Sequence, residues 1–198
     1  MNNKEFERES KGKRPVMAIC YDFDKTLSPD DMQAQGYIQS VGYDVGDFWN
    51  ESNKLAENNE MDQNLAYMYK MVQEAEGNII FNKKTLEDYG AKVKLFPGVE
   101  GWFKRIWEYG AAQGVIVKHY IISSGWKEMI EGTSVARKGA FKKIYASSFY
   151  YDPKTGVAKW PAQVVNYTNK TQFLFRIEKG VLDINDQGVN DSFAPEEM

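Results

Sequence analysis

The chain has 198 residues, 42% of them hydrophobic and 14% aromatic, which is enough for one good core plus a smaller module and excludes wholesale disorder. Its 25 basic and 28 acidic residues leave a formal net charge of −3 without strong clustering, so we expect no nucleic-acid and no membrane partner. No apolar run approaches the ~20 residues of a membrane span, and residues 1–14 are too polar for a signal peptide, so we expect a cytoplasmic protein.

The first motif is an apolar segment that ends in two carboxylates. Residues 16–21 are apolar without alternation, which is typical of a strand buried on both faces of a parallel sheet. Asp22 and Asp24 follow, and residues two apart share a face of an extended chain. Because ligands bind beyond the carboxyl ends of such strands, the pair is predicted to meet a reacting group. The alternative is an acidic strand end before the turn residues Ser28-Pro29-Asp30.

A long helical region separates this strand from the next. A plain strand-helix-strand unit needs only ~30 residues, whereas Asp22 and Ser123 lie 101 positions apart. Apolar residues at helical spacing fill the interval, so we predict a helical cap over residues 31–95 that closes over the sheet edge like a lid. Residues 15–30 and 96–198 are assigned to an α/β core, and residues 1–14 to a mobile arm.

A second predicted strand, residues 115–122, ends in Ser123-Ser124-Gly125 and so repeats the layout of the first. After it, the patterns predict a helix over 126–138, a third parallel strand over 141–146 and a hairpin over 150–158. The single cysteine, Cys20, and the single histidine, His119, both lie in strand-like segments. We expect both to be packed side chains and neither to be a metal ligand.

A capped helix is predicted over residues 166–179, with Gly180 at its end. Lys170 lies in its first turn, where the helix dipole disfavours a cation. The sequence leaves two interpretations open: Lys170 is paired with something negative, or it is a solvated side chain.

The order of these motifs resembles the haloacid dehalogenase-like superfamily, in its phosphoserine-phosphatase-like branch. The resemblance covers about residues 15–180 and depends on Asp22-x-Asp24-x-Thr26, the strand ending at Ser123, and Lys170. Residues 160–171 are also similar to uncharacterised bacterial hydrolases of this branch. The resemblance implies an α/β fold with a Rossmann-like parallel sheet core and a helical cap inserted after the first strand.

The resemblance also implies a Mg²⁺-dependent phosphatase acting on a small phosphorylated metabolite. By the family's roles, Asp22 would attack phosphorus and carry an aspartyl-phosphate, and Asp24 would protonate the leaving oxygen and later deprotonate water. The Asp22 side chain and the Asp24 carbonyl would hold Mg²⁺, and Lys170 would offset charge on the nucleophile. An ionised carboxylate is a competent nucleophile for phosphoryl transfer, so the chemistry of the residues agrees with these roles.

Substrate phosphate would be bound at the end of the second strand and beside the first motif. The residues assigned to this task are Ser123, Ser124, Gly125 and Thr26. The sequence leaves open whether Ser123 or Ser124 binds the phosphate, and Ser123 is favoured because it directly ends the apolar run.

The family's fourth motif, an apolar strand followed by acidic residues, is not found. Residues 181–186 contain too short an apolar run, and Asp186 and Asp191 are predicted to be loop residues. We therefore expect a longer protein of which this chain is the front part, and weak activity from this chain alone. Other functions considered are a phosphomutase, a haloacid dehalogenase-type hydrolase and a catalytically incomplete binding module, and the expected state is a monomer or weak homodimer.

Overall fold

The computed structural model describes residues 12–192, so most of the predicted arm, residues 1–11, lies outside the described residues, as do residues 193–198. The described strands are β1 (Val16–Tyr21), β2 (Ile116–Trp126), β3 (Lys143–Tyr151) and β4 (Ala158–Gln163). The described α-helices are α1 (Tyr37–Ser40), α2 (Val45–Asn58), α3 (Gln63–Ala75), α4 (Lys83–Gly90), α5 (Val99–Ala112), α6 (Lys127–Gly132), α7 (Ser134–Arg137) and α8 (Lys170–Glu178). Short 3₁₀ helices lie at Met32–Ala34 and Gln187–Asn190.

The four strands form one sheet in the order β1-β2-β3-β4. β1 pairs with β2 and β2 with β3 in parallel, while β4 returns antiparallel to β3. Tyr21, the last residue of β1, lies opposite Ile121 of β2. The residues that follow the two strands therefore emerge at the same sheet edge. The predicted α/β fold with a mainly parallel sheet is confirmed, and so is the hairpin between β3 and β4.

The prediction that β1 is buried on both faces is wrong. β1 lies at the edge of the sheet formed by the described residues, with only β2 beside it. Val16 is 40% exposed and Met17 is 53% exposed. An unbroken apolar run is typical of a central strand, but burial is set by the neighbouring elements, and those cannot be derived from six residues.

The helix predicted over 126–138 is divided in two. β2 continues to Trp126, α6 follows, and the chain is extended at Thr133 before α7 begins. The Thr133 hydroxyl accepts a hydrogen bond from the N–H of Ala136 and caps α7. Threonine side chains compete in this way with the helical hydrogen-bond ladder, which accounts for the break.

The insert between β1 and β2 is helical over its described length. Asp44 and Asp62 cap α2 and α3, because each carboxylate accepts two backbone N–H groups of the first turn. Residues 31–95 supply no strand to the four-stranded sheet, although Asn82 makes an isolated bridge with Val157. The boundaries of the cap stay a prediction.

One hydrophobic cluster joins the insert to the sheet. Trp126, fully buried at the end of β2, has its ring centroid 5.1 Å from that of Tyr37, 5.5 Å from that of Phe81 and 5.4 Å from that of Phe149. Tyr37 and Phe81 belong to the insert, whereas Phe149 lies in β3. The insert is therefore anchored to the sheet through aromatic packing, and its helices do not form a core of their own.

His119 is buried within β2, as predicted for a packed side chain. Its Nδ1 lies 3.0 Å from the Tyr21 hydroxyl, and its Nε2 lies 3.2 Å from the Phe103 carbonyl. The carbonyl requires a donor, so Nε2 carries the proton and Nδ1 accepts from Tyr21. Burial lowers the pKa of His119, consistent with a neutral ring.

Cys20 is half-buried in β1, and burial raises the pKa of its thiol, which favours the unreactive neutral form. Among the described helices, none is both long enough and apolar enough to cross a membrane.

Candidate active site

Asp22 and Lys170 meet at the end of β1. The Oδ2 atom of Asp22 lies 2.8 Å from Nζ of Lys170, and the Oδ1 atom accepts the N–H of Phe23 at 2.8 Å. The two side chains are 44% and 29% exposed, so the pair is open to solvent and to a ligand. Lys170 is the first residue of α8, where the carboxylate compensates a cation that the helix dipole disfavours. Of the two interpretations of Lys170, the structure shows the paired one.

Asp24 lies deeper than Asp22. Its Oδ1 atom accepts the N–H of Met32 at 2.9 Å. Burial raises the pKa of Asp24 to about 7, and nearby Asp31 and Asp22 act in the same direction, while the hydrogen bond from Met32 opposes the shift. The carboxyl is thus poised to give and take a proton near neutral pH.

The turn after Asp24 is tightly closed. Lys25 has a positive φ of 59°, a backbone conformation that is uncommon for a residue with a side chain. The Phe23 carbonyl accepts hydrogen bonds from the N–H groups of Thr26, Leu27 and Ser28. Thr26 is exposed in this turn and is not among the residues that line the neighbouring cleft.

The two serines after β2's apolar run have different surroundings. Ser123 is fully buried, and its Oγ accepts the N–H of Gly125 at 3.0 Å. Ser124 is half-buried and lines a cleft beside Asp24 and Gly125. Its carbonyl accepts a hydrogen bond from the hydroxyl of Tyr67 at 2.8 Å, which ties the insert to this loop. Ser124 thus lines the cleft, whereas the buried Ser123 stabilises the backbone at Gly125 through its hydrogen bond.

Gly125 is in close contact with Asp24. A Cβ atom at Gly125 would lie 2.8 Å from Oδ2 of Asp24 and would overlap the side chain of Met32. Because a Cβ would press on both side chains, the glycine allows the irregular end of β2, where the register with β3 shifts, to approach the second carboxylate closely. This packing brings together the two strand ends that the sequence assigned to one site.

A cleft of about 460 Å³ lies between this loop and the insert. Its lining from the insert consists of the carboxylate Asp31 and of aromatic and amide side chains: Gln33, Trp49, Asn53, Gln63, Asn64 and Tyr67. The helical spacing of this region predicts packed aromatic residues, and its aromatic and amide side chains are too generic to indicate a substrate. No sequence signal distinguishes these amides from the other Asn and Gln residues of the insert, which are scattered along it.

The carboxylates partly fit the magnesium ion that the resemblance implies. Mg²⁺ is commonly held by one or two carboxylates, with water and phosphate oxygens completing the octahedron. The partly exposed Asp22 carboxylate meets this requirement, with Asp24 two residues away. Within residues 12–192 no group of three or more His, Cys, Asp or Glu side chains is arranged to hold a metal ion.

The acidic residues near the end of the described chain are held against α8. Arg176 donates to the carbonyl oxygens of Asp183 and Asp186, and Lys179 donates to that of Asp191. The Asp186 carboxylate accepts the N–H of Gly188 and caps the last 3₁₀ helix. The segment is irregular apart from this short helix, in agreement with the loop prediction.

No family model matches the chain. An uncharacterized protein from Borreliella burgdorferi is 29% identical to this chain, and the match covers 83% of this chain. The chain spans 65% of that relative's length.

Solved structures show the fold more clearly. A haloacid dehalogenase family hydrolase from Salmonella enterica serovar Typhi superimposes with a TM-score of 0.57 at 16% identity, over 83% of this chain and 52% of that one. The fold is haloacid dehalogenase-like. A probable phosphoserine phosphatase from Vibrio cholerae has a TM-score of 0.54 at 11% identity, over 83% of this chain and 46% of that one. In this haloacid dehalogenase-like fold, Asp22 and Asp24 occupy the carboxyl end of a parallel strand, where open α/β sheets bind ligands.

Proposed function

We propose that the protein is a magnesium-dependent phosphatase that hydrolyses a small phosphomonoester through an aspartyl-phosphate. The observation that carries this proposal is the contact of Asp22 with Lys170 beside a second carboxyl, Asp24, whose pKa is raised to about 7. One carboxylate is accessible and paired with a lysine, and the other can hold a proton at neutral pH. Nucleophilic phosphoryl transfer followed by hydrolysis requires two groups of these two kinds.

Asp22 acts as the nucleophile. One carboxylate oxygen attacks phosphorus in line with the leaving oxygen, and the bond to the leaving oxygen breaks. Lys170, 2.8 Å from Oδ2, offsets negative charge as the anionic phosphate approaches. The N–H of Phe23 holds Oδ1 and fixes the orientation of the carboxylate.

Asp24 moves the protons. In its protonated form it donates to the leaving oxygen as the ester bond breaks, and in its ionised form it then takes a proton from the water that attacks the aspartyl-phosphate. A pKa of about 7 places both forms within easy reach at neutral pH. The hydrogen bond from Met32 to Oδ1 leaves Oδ2, the atom near Gly125, for this task.

The remaining groups hold the phosphate. The last residues of β2 offer Ser124, whose hydroxyl would bind a phosphate oxygen in the cleft beside Asp24. The Asp22 carboxylate and the Asp24 carbonyl would bind Mg²⁺, which when bound would add positive charge next to the phosphate oxygens. The raised pKa of Asp24 also favours a phosphatase over a haloacid dehalogenase-type hydrolase, because attack on carbon with loss of a halide needs no proton donor.

The proposal is tested by phosphate release from p-nitrophenyl phosphate with Mg²⁺ and with a chelator. We expect Mg²⁺-dependent turnover that falls by several orders of magnitude in Asp22→Asn. The matched control is Asp88→Asn, which changes an exposed carboxylate of α4 and should leave the rate unaltered. Chloride release from a haloacid, or normal phosphate release by Asp22→Asn, would contradict the proposal.

A further inference from the structure

The cleft beside Asp24 contains side chains that suit a leaving group with several hydroxyl groups. Four primary amides line it, namely Gln33, Asn53, Gln63 and Asn64. An amide carries both donors and an acceptor, so a group of amides matches hydroxyl groups, which also donate and accept. The ring of Trp49 adds an apolar surface at the same cleft.

The charges in the cleft disfavour a leaving group that carries a carboxylate. Lys25 is the one cation among the described residues that line the cleft, and its Nζ lies 2.9 Å from Oδ2 of Asp31. Asp24 and Asp31 also line the cleft and are acidic. A carboxylate on the organic part of a substrate would find no uncommitted cation here and would approach two acidic groups.

Gln33 gives the most specific indication of a ligand. It lies in the 3₁₀ helix after the first motif and is only 3% exposed, yet it lines the cleft. No described residue makes a hydrogen bond with its side chain, whereas the neighbouring Gln35 is bonded to Ser28 and Lys94. The Gln33 amide lines the cleft and is not sealed from solvent, so a ligand in the cleft can supply the hydrogen-bond partner that no described residue supplies.

We propose that the substrate is a phosphomonoester whose organic group is uncharged and rich in hydroxyls, of polyol or sugar size, and that Gln33 selects it. This inference rests on the proposed function for the position of the phosphate at Asp22. The cleft volume of about 460 Å³ lies in the ~300–1,000 Å³ range of small-molecule sites. Asn64 is already oriented, because its amide N–H donates to the Val165 carbonyl at 3.0 Å and its oxygen remains to accept.

The test is calorimetric binding of two matched probes, glycerol 3-phosphate and 3-phosphoglycerate, to the full chain carrying Asp22→Asn in Mg²⁺ buffer. The probes share phosphate and skeleton and differ in a terminal alcohol against a carboxylate. We expect glycerol 3-phosphate to bind at least about tenfold more tightly, because the carboxylate would be left unpaired. Adding Gln33→Met, which is similar in size and cannot hydrogen-bond in the same way, should weaken glycerol 3-phosphate about 3- to 10-fold.

A second variant supplies the converse measurement. Asn53→Arg places a cation at an exposed position of the cleft and should improve 3-phosphoglycerate binding relative to glycerol 3-phosphate. Equal or tighter binding of 3-phosphoglycerate to the unmodified cleft, or binding of neither probe, would overturn the inference. Failure of p-nitrophenyl phosphate turnover with a preserved preference for glycerol 3-phosphate would instead refute the phosphatase and leave the ligand class standing.

Discussion

Lys170 at the start of α8 and Asp22 at the end of β1 are held together by a 2.8 Å ion pair, so the first turn of a late helix is fixed against the first strand. The pair is partly exposed, and exposed pairs stabilise a protein by only ~0–1 kcal/mol. We therefore expect the ion pair to affect the rate of the reaction more than the stability of the fold.

Replacing Lys170 by Met should separate these two effects. We expect kcat on p-nitrophenyl phosphate to fall about 100-fold or more, because charge on the nucleophile and the phosphate loses its counter-charge, while the melting temperature changes by only a few degrees. Lys127→Met, which breaks an exposed pair with Glu131, is the matched control. A Lys170→Met enzyme within twofold of the unmodified rate would show that Lys170 has no role in the reaction.

The raised pKa of Asp24 predicts a pH-dependent stability. An aspartate whose pKa rises on folding from 3.8 to about 7 contributes stability below the lower value, and loses it as the pH rises through the higher one. The amide introduced by Asp24→Asn cannot lose a proton. In the presence of a chelator, the variant should therefore be more stable than the unmodified chain at pH 8, by a few kcal/mol at most. At pH 4 the two stabilities should be close. Urea unfolding at both pH values measures this, and an unchanged difference between them would contradict the assigned pKa.

The same substitution should change the dependence of rate on the leaving group. Without the proton donor, departure of a poor leaving group slows the most, so Asp24→Asn should lose more activity on an alkyl phosphate than on p-nitrophenyl phosphate. The two ratios of kcat/KM, variant to unmodified, are compared directly. Equal ratios would argue against Asp24 as the acid.

The two serines should respond differently to removal of the hydroxyl. Ser124→Ala removes a group that lines the cleft, so we expect a raised KM with little loss of stability. Ser123→Ala leaves the buried N–H of Gly125 without its acceptor, so we expect a stability loss of about 1–3 kcal/mol together with lower activity. Steady-state kinetics and thermal unfolding of both variants give the comparison, and a reversed pattern would place the phosphate at Ser123.

A methyl group at Gly125 tests the close approach of the two strand ends. Gly125→Ala would press on Asp24 and Met32, so we expect a loss of activity of at least tenfold. Gly101→Ala is the control, because a Cβ there meets no atom within 4 Å and alanine favours the helix that contains it. Full activity of Gly125→Ala would show that the loop can move away without consequence.

Local pattern was sufficient to locate much of this structure in the sequence. The apolar run of residues 16–21 coincides with β1, and Asp22 and Lys170, chosen on strand-end and helix-start chemistry, are in contact. The edge position of β1 and the break at Thr133 were not predicted, because both depend on neighbours or on a side-chain hydrogen bond that periodicity does not encode. The amides of the cleft were not predicted for a related reason, because Gln33 and Asn53 come to line the same cleft only when the chain is folded.

The aromatic side chains around Trp126 have a consequence for how the molecule opens. Tyr37 and Phe81 pack on this ring from the insert and Phe149 from β3, so a rigid swing of the whole insert would expose all of them to water at once. Substrate entry should instead use smaller movements of α2, which carries Trp49 and Asn53, because Tyr67 fixes α3 to Ser124. Amide hydrogen exchange should then show the insert around Tyr37 and Phe81 unfolding cooperatively with β2 and β3, as one foldon.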